Sequence, residues 1–227
     1  MSSDESDGAS NKVQSTGRAS EQHSSTMVEL QHRVRNLLAV VRSIARRTAE
    51  SSRTIEEFSM NFDGRLNAYA RTLSLLVRDP KNGVELEYLV AEELLAAQAH
   101  DGDNVRISGP AMRLQPRAAE TIGLAVHELA TNSIKHGALG HAEGKVDISW
   151  RVDRNPSGES LVFGWVESGA RRLMPVPTRR GFGVVMLEET LAFELGARAS
   201  LHFESTGFRC SILFPVSDQV FVLHPSH

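Results

Sequence analysis

Leu30, Val34, Leu37, Val41 and Ile44 recur at steps of four, three, four and three. That rhythm predicts one apolar seam along a long helix. A second seam follows at Ile55, Phe58, Phe62, Leu66, Tyr69, Leu73 and Leu76. The stretch between them, AESSRT, reads as a short connection in which Ser52 or Thr54 caps the second helix. Two helices on a short link predict an antiparallel hairpin. A hairpin rarely buries its stripe alone. A second copy completing a four-helix bundle predicts a homodimer, and packing of the stripe on the rest of the chain is the alternative.

The turn chemistry of RDPKNG ends the hairpin, and the pattern then changes. LEYLVAEELLAAQA reads as an amphipathic helix, NVRIS as a short strand, and RAAETIGLAVHELATNSIKHGAL as a longer helix. VDISWRVD and LVFGWVES alternate as strands about an RNPSGE turn. GFGVVMLEETLAFELG predicts a helix stopped by Gly196, and ARASLHFES with GFRCSILFP a closing hairpin. Val220 to Leu223 fit either a small extra strand or a docked tail. Strands in antiparallel pairs with helices gathered between them predict an α+β, two-layer α/β sandwich. The expected division is a disordered tail at 1–26, a helical hairpin at 27–83 and the sandwich at 84–227. The tail has no aromatic residue and almost no apolar one, so it cannot offset the entropy of ordering.

Composition narrows the class. A hydrophobic fraction of 41% supports a real core, and a net charge of −3 with mixed signs gives no support to nucleic-acid binding. Cys210 stands alone, so no internal disulfide forms and a reducing, cytoplasmic setting is the simplest reading. The first residues are polar rather than a secretory signal, and no apolar run approaches the roughly 20 residues of a membrane span.

Three stretches carry candidate chemistry. In HELATNSIKHG, Glu128, Asn132 and Lys135 fall on one helical strip, apart from the apolar strip of Ile122, Val126 and Leu129. A carboxylate, an amide oxygen and an ammonium in line suit magnesium and phosphate, because magnesium takes few protein oxygens and keeps waters. The plain alternative is a solvated face with an ordinary Glu–Lys pair. HELAT has threonine where a second histidine would stand, which excludes a zinc-protease helix. In FGWVESG, alternation puts Phe163, Trp165 and Glu167 on one side. Glu167 can accept a hydrogen bond from an exocyclic amine such as that of adenine, and Gly169 lets a flat ring approach; the alternative is an ordinary strand end. In RRGFGVVMLEE, Gly181 and Gly183 open a helix after the Arg- and Pro-rich loop ARRLMPVPTRR, which predicts a phosphate-side lid or a solvated basic loop. No P-loop motif occurs. In order within one α+β module, these features predict a nucleotide triphosphate site.

His32 gains meaning beside such a site. With Leu30, Val34, Leu37 and Val41 inward, it points outward. A neutral imidazole offers a lone pair near pH 7, so an exposed histidine can accept a phosphoryl group. Most exposed histidines do nothing of the kind.

The joint pattern resembles the HWE-type sensor histidine kinases, of the superfamily that shares its Bergerat-type ATPase fold with DNA gyrase and a heat-shock chaperone. ELQHRVRNLLAVVRSIA is similar to the family's acceptor box, HELATNSIKHGAL to its N box with the distinguishing His127, WVESG to its W-x-E signature, and GFG to a glycine box. The resemblance runs from about residue 27 to 216. It implies a dimerising histidine-phosphotransfer hairpin followed by an ATP-binding domain. It implies that His32 takes the γ-phosphoryl group of ATP and passes it to an aspartate on a response regulator receiver domain. Asn132 would hold Mg2+, with Glu128 catalytic one turn earlier, Lys135 at phosphate, Glu167 at the adenine amine, and Gly181 and Gly183 at the lid. Arg33 follows His32 where larger kinase families carry an acid, so Glu29 becomes the candidate base. Only a tail precedes the hairpin here, so the expectation is either an input arriving in trans or a phosphorelay role without its own stimulus. A phosphotransfer protein with a degenerate ATPase-like domain is the competing reading, and a serine kinase of the same superfamily a third.

Overall fold

A computed structural model describes residues 6–79, 82–99, 104–155, 158–169, 180–204, 207–217 and 220–222; the side chains of 6–26, Glu29, Asn155 and Val222 lie outside the described residues. Contacts divide the chain into two compact units, Met1–Arg47 and Thr48–His227. The first holds most of helix α1 (Ser6–Ser51). The expected tail at 1–26 is thus helical from Ser6 onward. It contains no proline, and extending a helix costs far less than nucleating one. Along the predicted seam Leu30 and Val34 are 55% and 45% exposed, Leu37 and Val41 half-buried and Ile44 buried. His32 is exposed, as its place off the seam predicts.

Helix α2 (Ile55–Arg78) starts at Thr54, whose hydroxyl accepts from the Glu57 N–H at 3.1 Å, while Glu57 accepts from the Arg53 N–H at 2.8 Å. That reciprocal pair satisfies donors the helix leaves open. By contacts α2 belongs to the second unit, which begins at Thr48. Its buried face is Arg65, Ala68, Tyr69, Thr72 and Leu75. Of the predicted seam, Tyr69 alone is buried there; Ile55 is 78% exposed and the others half-buried. The face that packs on the chain's own sandwich is thus offset from the predicted stripe, which it shares only at Tyr69. Small residues explain it. A Cβ on Gly123 of helix α4 (Pro116–His136) would sit 2.4 Å from Thr72 Oγ1, and one on Gly64 would meet His127 at 3.4 Å. Missing bulk at Gly123 lets Thr72 of α2 come close, while at Gly64 a side chain would make ordinary contact with His127.

The sandwich follows the expected order. Strand β1 (Val84–Glu85), helix α3 (Leu86–Ala96), strands β2 (Val105–Ser108) and β3 (Arg113–Leu114) and then α4 lead to β4 (Lys145–Asn155) and β5 (Gly158–Ser168). A helical run follows: α5 (Phe182–Val185), a wider π turn at Met186–Thr190 and α6 (Leu191–Leu195), ended by left-handed Gly196. Strands β6 (Arg198–Glu204), β7 (Gly207–Pro215) and β8 (Phe221–Val222) close the chain. The main sheet runs β2-β4-β5-β7-β6, and β1-β3-β8 form a small second sheet. β2 pairs parallel with β4, where antiparallel pairs alone were expected. The helical connection through α4 makes that possible, since parallel neighbours need a long crossover.

Alternation buries one face of the sheet. Val146, Ile148 and Trp150 of β4, Leu161, Phe163 and Trp165 of β5, and Cys210, Ile212 and Phe214 of β7 are all buried. Trp165 lies opposite both Ile148 and Cys210. Burial pushes the Cys210 thiol up to about 12. On α4, Ile122, Val126 and Leu129 are buried, as the apolar strip predicts. The second layer is helical, so the architecture is α+β. No described helix is long and apolar enough to cross a membrane.

Candidate functional site

Within the second unit a cavity of about 730 Å3 opens between α2, α4, the Gly181–Gly183 turn and the β5–β7 strands. That is the size range of small-molecule sites. Glu128, Asn132, Lys135, Glu167, Gly181 and Gly183 all line it. Gly169 does not; at φ +77 it makes the turn after β5, and a Cβ there would meet the Glu143 carbonyl at 2.5 Å. Its close approach among the described residues is to the Glu143 backbone. His32 belongs to the other unit. There Asn36 Nδ2 lies 3.3 Å from His32 Nδ1, one turn along. The loop expected as a lid, residues 170–180, lies outside the described residues up to 179.

Along α4 the strip is not uniform. Glu128 is buried, and both its oxygens are taken by Arg65: Nε donates to Oε1 at 2.8 Å and Nη2 to Oε2 at 3.2 Å. Asn132 is exposed, and Lys135 Nζ donates to Asn61 Oδ1 at 3.0 Å. The ordinary Glu–Lys pair is therefore not what forms. Gly183 packs on the strip so tightly that a Cβ would stand 2.9 Å from Asn132 Nδ2 and 3.3 Å from Glu128 Oε2. A side chain at 183 would fill the space beside them.

Glu167 is held at the end of β5. Its Oε1 accepts from Trp165 Nε1 at 2.9 Å and its Oε2 from the Ala138 N–H at 2.7 Å. The tryptophan two residues earlier on the same face therefore orients the acid. Gly137 leaves room for it, since a Cβ would lie 2.0 Å from Oε2. Each carboxylate oxygen can accept a second hydrogen bond. Leu201, Phe203 and Phe208 supply an apolar wall nearby, Phe203 and Phe208 with ring centroids 5.0 Å apart.

Sequence reasoning missed what α2 brings to this cavity. Asn61, Gly64 and Arg65 line it. Arg71 clamps buried Glu93 of α3, with Nε to Oε1 at 3.1 Å and Nη2 to Oε2 at 2.5 Å. His127 Nδ1 approaches the same carboxylate at 3.4 Å. Further along, Tyr69 donates to Glu120 Oε2 at 3.2 Å. Burial and the neighbouring Glu120 charge push the Tyr69 phenol up, and burial pushes the Glu120 carboxyl up. The sequence signal was the small-residue spacing Gly64, Ala68, Thr72, read past in favour of the apolar seam.

Magnesium keeps most of its waters and needs one or two protein oxygens. Asn132 offers an amide oxygen at the cavity wall, while Glu128 is committed to Arg65. Among the described residues no group of three or more His, Cys, Asp or Glu could hold a metal unaided. This donor set fits a cation that arrives with a ligand's phosphates rather than a resident protein-bound one.

Helices followed by such a sheet, with this cavity, define a histidine-kinase type of architecture. The fold matches the histidine kinase domain from Erythrobacter litoralis EL346 blue-light activated histidine kinase at a TM-score of 0.53, with 19% identity, over 80% of this chain and 96% of that one. It matches the Erythrobacter litoralis EL346 blue-light activated histidine kinase at a TM-score of 0.54, with 21% identity, over 85% and 59%. The family model for HWE histidine kinase matches residues 29–111. Blue-light-activated histidine kinases of Brucella ovis and Brucella anthropi are 31% and 32% identical over 193 residues, 85% of this chain. Together these matches support an HWE-type histidine kinase, the family model covering residues 29–111. It spans about 39% of the length of those Brucella relatives.

Proposed function

We propose that this chain is an ATP-dependent protein histidine kinase of two-component signalling. In this reading an imidazole nitrogen of His32 attacks the γ-phosphorus of ATP. The N–P bond forms as the bond to the ADP oxygen breaks, and the imidazole gives up its proton. The phosphoryl group then passes to an aspartate of a response regulator receiver domain, in the cytoplasm. Mg2+ at Asn132 would neutralise phosphate charge; Lys135 would do the same from the protein side, and Glu167 would receive the adenine amine. Catalysis would then rest on positioning and charge neutralisation. Glu128 is the proposed catalytic carboxylate. Glu29 is the proposed base for His32.

One observation carries the reading: the N-box strip, the W-x-E acid and the glycine pair meet in one cavity of about 730 Å3 in a chain that this family model matches. An exposed His32 agrees with the acceptor role. Exposed Leu30 and Val34, with Met27 at 61% and Val28 at 66%, favour a homodimer through α1. The stimulus would come through a sensor in the same or another chain.

Incubation with γ-labelled ATP and magnesium tests this. The expected product is acid-labile, base-stable label that is absent from His32→Ala. Label that appears only from a phosphorylated receiver would favour the relay reading instead, and label surviving in His32→Ala would move the acceptor elsewhere.

A further inference from the structure

Among the described residues, Arg65 is the one arginine lining the cavity. It comes from α2, outside every motif that points to the site. Its Nε and Nη2 hold Glu128, and its Nη1 donates to Thr48 Oγ1 at 2.9 Å. Its Cζ stands 3.7 Å from the centroid of the Phe182 ring, between Gly181 and Gly183. The planar group is thus stacked on one side and tied at three nitrogens. A guanidinium has five N–H donors. Three are used, which leaves one on Nη1 and one on Nη2.

Position decides what those donors meet. Glu128 lies nine residues before Gly137, which abuts Glu167. At 1.5 Å per residue the two ends of this α4 segment are about 13 Å apart. Arg65 therefore marks the end of the cavity away from Glu167. With a base at Glu167, a nucleotide's polyphosphate would extend past Lys135 and then Asn132, and finally reach Arg65. A planar, pre-oriented fork is the side chain best matched to a phosphate with several free oxygens. The Phe182 ring fixes its plane in advance, and Glu128 keeps the charge compensated before a ligand enters.

We infer that Arg65 reads the terminal phosphate of the nucleotide, so that the site distinguishes a triphosphate from a diphosphate. The inference rests on the nucleotide reading of the cavity. It makes α2 a part of the binding site.

The test is titration calorimetry of the full chain with Mg-ATP and with Mg-ADP, comparing wild type, Arg65→Gln and Arg65→Lys. Losing charge-assisted bonds to one phosphate should weaken ATP by about tenfold to hundredfold in Arg65→Gln. ADP should change by less than about threefold. Arg65→Lys should restore part of the ATP affinity, because it keeps the charge without the fork. Equal weakening of ATP and ADP would reduce Arg65 to a strut and overturn the inference. So would unchanged or tighter ATP binding. Should Arg65→Gln lose its helical circular dichroism, Arg65→Lys decides alone: selective ATP loss supports the inference, and equal or no loss overturns it. Wild-type chain that binds neither nucleotide overturns the nucleotide reading itself, and with it this one.

Discussion

Removing Arg71 should damage the fold more than neutralising its partner Glu93. The two form one pair, but they are buried unequally: the Glu93 side chain is 1% exposed and the Arg71 side chain 28%. Arg71→Met strands a carboxylate in the interior with His127, 3.4 Å away, as its remaining polar neighbour. An uncompensated buried charge costs about 3–5 kcal/mol, and the imidazole brings this nearer the lower end. Glu93→Gln keeps the shape and removes the charge. It leaves a guanidinium that reaches water, at a cost of about 1 kcal/mol. The expected gap is about 2 kcal/mol. In a unit of this size each kcal/mol moves the midpoint by about 2–4 °C. Arg71→Met should therefore melt about 4–8 °C below Glu93→Gln. Urea titration followed by circular dichroism gives the same comparison in free energy. Glu93→Gln proving as costly as Arg71→Met, or more so, would refute the argument, because it would mean the carboxylate stabilises by more than its need for a partner.

Glu120→Gln should stabilise the chain near neutral pH and give less benefit in acid. Burial raises the Glu120 carboxyl, against the lowering effects of the Tyr69 hydroxyl and Arg117, so the folded chain holds this proton more tightly than the unfolded one. Stability from that proton is present below the ordinary carboxylate range and lost as pH rises through the folded value. Stability curves of the two proteins should converge as pH falls; curves that stay parallel would refute the sign. Cys210, with its thiol pushed up to about 12 and fully buried, should not react with Ellman's reagent in the native protein. Reaction should appear only as the sheet unfolds, and fast labelling with the sheet intact would contradict the packing.

Much of this was legible in the sequence. Alternation in LVFGWVES correctly puts Phe163, Trp165 and Glu167 on the buried face, and helical spacing separates Ile122, Val126 and Leu129 from the polar strip. Local periodicity carries that information because each residue's neighbours on its own element fix its side. The direction of β2 is different. Alternation says which face a residue takes but not which way the next strand runs, so the parallel pairing with β4 had to be read from the α4 crossover. The docking of α2 was misread for a related reason. The apolar seam reports what the helix wants to bury, whereas Gly64, Ala68 and Thr72 report how closely another backbone can come. Arg65 and Glu128 stand 63 residues apart, and no periodicity links them. Nothing in the local sequence tells that the positive φ of Gly169 makes the turn against Glu143.

The position of α2 has a thermodynamic consequence that does not depend on which ligand enters. Asn61, Gly64 and Arg65 on one side and Glu128, Asn132 and Lys135 on the other line the same cavity. A ligand that touches both helices is bound by the docked arrangement and not by one with α2 removed. It must therefore stabilise docking by the free energy of its own binding, about 2.7 kcal/mol at a hundred times its dissociation constant. The relation is reciprocal: whatever lowers the docked fraction of α2 must weaken the ligand by the factor by which that fraction falls. α2 is joined through Ser52–Thr54 to the helix that carries His32. An input that acts on that helix and disturbs α2 would change ligand affinity without contacting the cavity.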